Sequence, residues 1–428
     1  MLITDHSGKS DNLCWGLLFG IVFVLGLMCG NGCGKQKAER AANQRGPVPR
    51  ESPQPPPEVR VPEAKGEIIK VAVIYAATGD ASLANKSVFT GVRLAADEIN
   101  AQGGIHGKKI QLLPFDNRSE SLGAKEAAQR AVAEKVIGVV GPARSSFSLA
   151  CAPVLQKHGI VMVTPTASNP KVTAVGDCIF RICFRDDFQG KLLAIFARKH
   201  LKATTAYLVV NANRIYSMGL VDIFAREFPS RGGRIVGKSL YLDASNDFRD
   251  ILHQIRAVKP DVVFMPSESR DVIYFLKQAY KLKVEKLRML GSDAWSELPP
   301  EYMNIQVQCD AYYSAFWHPT LKTEKSRLFV QKYRRFLGNF ESDIIPLSYD
   351  AMWVLADALR RARRLDRQAV REALAATRGF QGVTGTITFD KNGDPVNRSA
   401  VIMKWVGKKR VFVTAIDPSH INTQQTPP

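Results

Sequence analysis

From residue 69 onward, short apolar runs alternate with stretches of helical periodicity, and that alternation restricts the chain to an α/β fold. IKVAVIY (69–75) reads as a buried strand. The stretch SVFTGVRLAADEINAQGG follows, with Val88, Val92, Leu94, Ala95 and Ile99 on one side of a helix. The turn GGIHG (103–107) leads to strand KIQLLPFD (109–116), and helix 122–135 precedes strand VIGVVG (136–141). Helix 147–158 precedes strand IVMVT (160–164). Short βα links of this kind predict a parallel, doubly wound sheet. After about residue 187 the pattern restarts. AYLVVN (206–211), a helix over 217–232, RIVGKSLYL (234–242), a helix near 246–258, DVVFMP (261–266), a helix over 270–283 and LRMLGS (287–292) predict a second lobe of the same type. Helices near 324–337 and 347–364 follow, and the tail TGTITFDKNGDPV with SAVIMKWVGKKRVFV reads as a β-hairpin region with an Asn-Gly turn.

Two of these strands end in hydroxyls. Strand 136–141 runs into GPARSSFSLA, and strand 160–164 into TPTASNP. In open parallel sheets, ligands bind beyond the carboxyl ends of strands, where helix N-termini offer free N–H groups and the positive end of a dipole. Ser145 and Ser146, with Thr166 and Ser168, are therefore candidates to hold a carboxylate. The competing reading is ordinary helix capping, which Ser and Thr perform constantly.

The first 66 residues are of another kind. LCWGLLFGIVFVLGLM (13–28) has the length of a signal-peptide core or a short anchor. The small residues before Cys33 resemble a bacterial lipoprotein cleavage site, so residues 1–33 are expected to be a lipoprotein signal and anchor, with lipid on Cys33; the alternative is an uncleaved anchor helix. Residues 34–66, rich in proline and charge, read as an extended spacer. Export and membrane tethering follow from either reading. An exported compartment also permits a bridge between Cys178 and Cys183; two buried thiols are the equal alternative. Their spacing fits no zinc site, and no metal or cofactor is expected.

Lys and Arg total 59 against 40 Asp and Glu, a formal charge of +19. The basic residues are scattered, and the densest run, RRARRLDRQAVR (360–371), is interrupted at helical spacing as on a solvated helix face. No aromatics alternate with these arginines, so a nucleic-acid groove has no support.

Taken together, TGDASLANKSVFTGVRLAADEINAQGGIHGKKIQLLPFDN (78–117), GPARSSFSLACAP (141–153), VTPTASNPKVT (163–173), FRICFRDDFQG (180–190), YSMGL (216–220), DVVFMPSESRDVIYFLKQA (261–279) and LSYDAMWVLADAL (347–359) resemble the periplasmic leucine/isoleucine/valine-binding family, the type I solute-binding proteins of ABC transporters. The resemblance runs from about 68 to 415. It implies two doubly wound α/β lobes joined by a three-crossing hinge, with lobe 1 at 67–186 and 317–385, and lobe 2 at 187–316 and 386–420 including the tail. It implies an amino-acid ligand, an ABC permease as partner and a location outside the cytoplasm. Ser145, Thr166 and Ser168 match the loops that hold the ligand's carboxylate and amine, Asp293 the acid that pairs with its ammonium, and Tyr216 an aromatic that covers it. Where branched-chain binders can carry tyrosines, this chain has Ala84 and Glu268. In a closed cleft Glu268 would need a cation or donor on the ligand; alternatively it points to solvent. The ligand's side chain is thus aliphatic, polar or basic.

Two other function classes compete. A ligand-sensing or regulatory lipoprotein of the same fold would have no transport role. A one-chain receptor would need a membrane helix and cytoplasmic domain, neither of which is seen after residue 415. An enzyme is disfavoured, because no HExxH, GxSxG or Walker motif occurs and the seven histidines are dispersed.

Overall fold

The computed structural model describes residues 67–243, 245–284, 286–298, 309–321, 323–337 and 342–419. The expected signal segment, Cys33 and the 34–66 spacer lie outside them. No helix among the described residues is long and apolar enough to cross a membrane.

The first sheet is built from β1 (Ile68–Tyr75), β2 (Lys109–Asp116), β3 (Gly138–Val140), β4 (Val161–Thr164) and β5 (Ile179–Arg181). Their order is β2-β1-β3-β4-β5 and every pairing is parallel. Its crossovers are α1 (Ser82–Ala101), α2 (Ser121–Ala133) and α3 (Ser145–Lys157). Val71 to Ile74 of β1, all of β3 and Val161 to Val163 of β4 are apolar and buried, because helices cover both faces of the sheet.

After α4 (Asp186–Lys199) the scheme repeats with β6 (Thr205–Asn211), α5 (Ile215–Glu227), β7 (Arg234–Tyr241), α6 (Arg249–Val258), β8 (Val262–Phe264), α7 (Ser269–Lys281), β9 (Leu287–Gly291) and β10 (Cys309–Ala315). The parallel part of the second sheet runs β7-β6-β8-β9-β10, the same winding as the first. The chain then returns through α8 (Glu324–Leu337) and α9 (Ile344–Arg361), which packs on α1, and through α10 (Arg367–Ala375) beside α9. A small hairpin, β11 (Phe380–Gly382) with β12 (Gly385–Ile387), precedes β13 (Ala400–Val406) and β14 (Lys409–Ile416), which extend the second sheet antiparallel from β10. The chain therefore passes between the two sheets three times, before α4, after β10 and before β13. Phe184 packs in tilted contact with Phe188 and Phe316 at the first two passages, at centroid distances of 5.4 and 4.5 Å, and one apolar cluster runs through both lobes.

Two local expectations change, and one open alternative is decided. The helix expected over 217–232 ends at Glu227 and gives way to a short 3-10 turn at Pro229–Arg231, because Pro229 offers no N–H to continue the ladder. The tail holds two hairpins rather than one. Gly407, at φ 56°, turns the β13–β14 hairpin, while Asn392-Gly393 closes a turn bridged by Phe389 and Pro395. Finally, Cys178 and Cys183 are separate buried thiols, and burial pushes the Cys178 thiol up to about 11.

The third passage is anchored by charge. Arg181, fully buried at the end of β5, donates from Nε to Asp394 Oδ1 at 2.6 Å. Its other nitrogens donate to the Ala167 carbonyl at 2.6 Å, the Asn169 carbonyl at 3.0 Å and Thr173 Oγ1 at 2.8 Å. Arg185 reaches the second Asp394 oxygen at 3.0 Å. Breaking such a buried pair strands a charge and costs about 3–5 kcal/mol. Asp394→Ala should lose that much in urea unfolding, whereas Arg371→Ala, which opens the solvent-exposed Arg371–Asp177 pair, should change stability by about 1 kcal/mol or less. Equal losses would mean that the buried network is not what holds the third passage.

Candidate functional site

Both sheets present the carboxyl ends of their strands to a shared cleft. The first lobe contributes Ala143–Ser146 after β3 and Thr166 after β4. The second contributes Arg214 and Tyr216 after β6, Glu268 after β8, and Asp293 to Glu297 after β9. Phe316, Asp343 and Ile344, from the second passage, form part of the wall. The cleft holds about 540 Å³ of empty space, counted with its opening to solvent.

The hydroxyl loops are laced to each other. Gly141, at φ 92°, is followed by a cis bond to Pro142, and a Cβ on it would come within 2.2 Å of the Ile74 carbonyl. The Pro142 carbonyl accepts from Thr164 Oγ1 at 2.6 Å and from Ser148 Oγ at 3.0 Å. Thr166 Oγ1 donates to the Ala143 carbonyl, and Ser145 Oγ accepts from the Asn169 amide at 3.2 Å. No side chain caps α3, so Ser145 joins the two strand-end loops rather than capping its own helix. The N-terminus of α3, a helix of 13 residues, is left facing the cleft.

Of the six ligand-contact candidates, five line the cleft: Ser145, Thr166, Tyr216, Glu268 and Asp293. Ser168 does not. It is fully buried behind the wall, where its Oγ lies beside the Asp186 carboxyl without meeting hydrogen-bond geometry. Burial raises the Asp186 carboxyl to about 7.

Asp293 is buried, and its Oδ1 accepts from Tyr216 Oη at 2.5 Å and from Gln189 Nε2 at 2.6 Å. Oδ2 has no hydrogen bond among the described residues. Burial holds the Asp293 carboxyl well above the usual range, and the Asp186 and Asp343 carboxylates add to that, against the pull of its two donors. Burial and Asp293 together raise the Tyr216 phenol.

Glu268 meets neither expectation made for it. Its carboxylate accepts from Arg144 of the opposite lobe, Nη2 to Oε2 at 3.0 Å, with side chains 17% and 14% exposed. The chain supplies the cation itself. A second contact crosses the mouth from Arg214 to Asp80 at 3.5 Å, and Arg214 also pairs with Asp243 at 2.9 Å. Asn169 Nδ2 adds a bond to the Ile215 carbonyl at 3.3 Å. Arg144 keeps Nε and Nη1 buried without a hydrogen bond. Glu297 makes no ion pair among the described residues. Arg144, Arg214, Glu297 and Asp80 were missed because nothing local marks them; each matters only through a partner far away in the sequence.

Comparison with known proteins agrees with this geometry. The periplasmic binding protein family model matches residues 68–410. The Leu/Ile/Val-binding protein BraC3 of Rhizobium johnstonii is 28% identical over 80% of this chain and 93% of its own. The leucine-binding protein LivK of Thermotoga maritima superposes with a TM-score of 0.78 at 30% identity, over 82% of this chain and all of LivK. The branched-chain amino acid binding protein LivJ of Streptococcus pneumoniae, solved with isoleucine, gives 0.75 at 26% identity, over 82% and 99%.

Glu297 lends the site a pH signature. Burial first, and then the Glu268 carboxylate, raise it from 4.5 to about 8. The folded chain therefore holds a proton that the unfolded chain releases near 4.5. Stability from this group is present at low pH and is lost as pH rises towards 8. The thermal midpoint of wild type should fall over that window, and Glu297→Gln should fall less. Parallel curves would show that Glu297 ionises freely.

Proposed function

The chain belongs to the periplasmic binding protein family, and from that premise we propose that it captures an α-amino acid between its lobes and delivers it to an ABC importer. The family is extracytoplasmic and binds solutes, and the protein is not an enzyme. The observation that carries the ligand assignment is the opposition of Asp293 Oδ2, bare of hydrogen bonds, to the α3 N-terminus with its flanking hydroxyls. An ammonium suits the first and a carboxylate the second. Tyr216 and Gln189 fix the rotamer of Asp293. The relatives named for leucine, isoleucine and valine support an amino acid.

At the side-chain end of this cleft stand Arg144, Glu268 and Glu297. Arg144 Nε and Nη1 are already buried without a hydrogen bond, Nη1 facing Asp80 only at 3.8 Å. A leucine there would leave these donors unmet, whereas a side chain with an acceptor oxygen would meet them, a difference of about 1–3 kcal/mol. Beyond the Arg144–Glu268 pair the cleft continues into an outer chamber walled by Asp80, Arg270 and Tyr274, which leaves room for a long polar side chain.

Calorimetric titration tests this reading. Glutamine, whose side-chain carbonyl can accept from Arg144, should bind the wild type at least about tenfold tighter than leucine, following the unpaired-donor cost. Asp293→Asn should weaken binding of the preferred amino acid by about a hundredfold or more. Unchanged affinity in a folded Asp293→Asn protein, or a preference for carboxylates lacking an amine, would refute the amino-acid assignment. Leucine as the tightest ligand would refute the side-chain assignment alone.

The apolar segment 13–28 and the small residues before Cys33 support a lipid on Cys33 that tethers the protein. Metabolic labelling with a fatty-acid analogue should mark wild type and not Cys33→Ala. Equal labelling of the two would place the lipid elsewhere.

A further inference from the structure

The amino ends of β8, β9 and β10 open into a concave groove on the side of the second sheet opposite the cleft. Six basic side chains line it, Arg256, Lys259, Lys283, Lys286, Arg288 and Lys404, against two acidic ones, Asp261 and Asp310. Both acids are already engaged. Asp261 accepts from the Thr204 amide and hydroxyl and the Thr205 amide, and Asp310 pairs with Lys404 at 2.7 Å. Arg256, Lys259, Lys283 and Lys286 are exposed and make no ion pair among the described residues.

Ordinary helix energetics explains some of these cations, because the carboxyl ends of α6 and α7 face this side and favour positive charge. It does not explain their placement. Lys259, Lys283 and Lys286 stand at φ 46°, 50° and 57°. At such left-handed positions glycine carries the least strain, and Asn is the usual alternative. Lysine at all three keeps charge at a conformational cost. Val406 in the groove wall and Val258 beside it are 53% and 44% exposed, and no stacking aromatic is exposed among the groove-lining residues. Clustered lysines with small apolar side chains suit a lipid headgroup layer, where each cation near an anionic surface adds attraction and short apolar groups enter the interface. We propose that this groove is a docking surface for an anionic phospholipid membrane.

Co-sedimentation of the full chain with phosphatidylglycerol/phosphatidylcholine vesicles tests it, with phosphatidylcholine vesicles as reference. The amino-terminal segment is the same in every arm, so the readout is the excess binding to anionic vesicles and its loss with salt. Removing one cation should weaken this excess about fivefold. The variant R256Q/K259Q/K283Q/K286Q should therefore lose roughly a hundredfold or more, while keeping the wild-type melting curve. K86Q/K125Q/K135Q/K157Q removes as many exposed cations from the first lobe and should lose far less. Equal loss in both variants would assign the effect to overall charge and overturn the groove. Binding of soluble polyphosphate by wild type but not by the groove variant, without excess vesicle binding, would overturn the membrane as its partner. Should the quadruple variant fail to melt as wild type, Lys283→Gln alone must still show the fivefold loss for the proposal to stand.

Discussion

The buried guanidinium of Arg181 is the point on which the rest of the first lobe's cleft face depends. It is wholly enclosed, so its charge must be met by the chain. Asp394 meets it from more than 200 residues away, and the carbonyls of Ala167 and Asn169 meet it from the second hydroxyl loop. One side chain thereby fixes the end of β5, the loop after β4 and the third passage of the chain. Ser145 hangs from the same loop through the Asn169 amide, and Thr166 ties it to the loop after β3.

Polarity of the parallel sheet sets the rest. With every parallel strand of the second lobe running one way, helix N-termini gather at the cleft and helix C-termini gather at the opposite face. The first arrangement concentrates partial positive charge, hydroxyls and the buried Asp293 where a solute enters. The second collects lysines at the far face, since cations are favoured at helix C-termini. One topological rule thus yields a cleft lined by helix N-termini and, at the other side of the same sheet, a basic groove lined by helix C-termini.

The architecture was legible because periodicity is local. Runs such as IKVAVIY and the apolar side of 88–99 specify strand and helix without reference to anything distant. The repeated winding, β7-β6-β8-β9-β10 after β2-β1-β3-β4-β5, follows from the same alternation read twice. The strand-end hydroxyls were placed because strand ends face ligands in such sheets, and Tyr216 and Asp293 through the family resemblance. What stayed hidden was pairwise and long-range. Ser168 looks like Thr166 in the sequence, yet two residues of loop turn it behind the wall. Glu268 cannot be understood without Arg144, which lies 124 positions earlier and on the other lobe. The basic groove assembles from helix ends separated by whole crossovers, so it appeared only as scattered charge. The Asn-Gly pair suggested the hairpin turn, but register against β10 puts that turn at Gly407.

The pairs across the mouth and the acid at the centre play different parts. Arg144–Glu268, 14% and 17% exposed, and the more open Arg214–Asp80 each join a residue of one lobe to one of the other. Asp293 is different, because burial keeps its carboxyl protonated well above its ordinary range. Burial thus favours the neutral form of this acid in the empty cleft, which spares the fold an unpaired buried charge. On the proposed reading, an arriving ammonium makes the ionised form the stable one, and the proton leaves as the ion pair forms. A solute with no amine offers no such exchange. On that reading, the desolvation that weakens Asp293 as an acid in the empty cleft also makes it selective, since a ligand carrying its own positive charge compensates for ionising it.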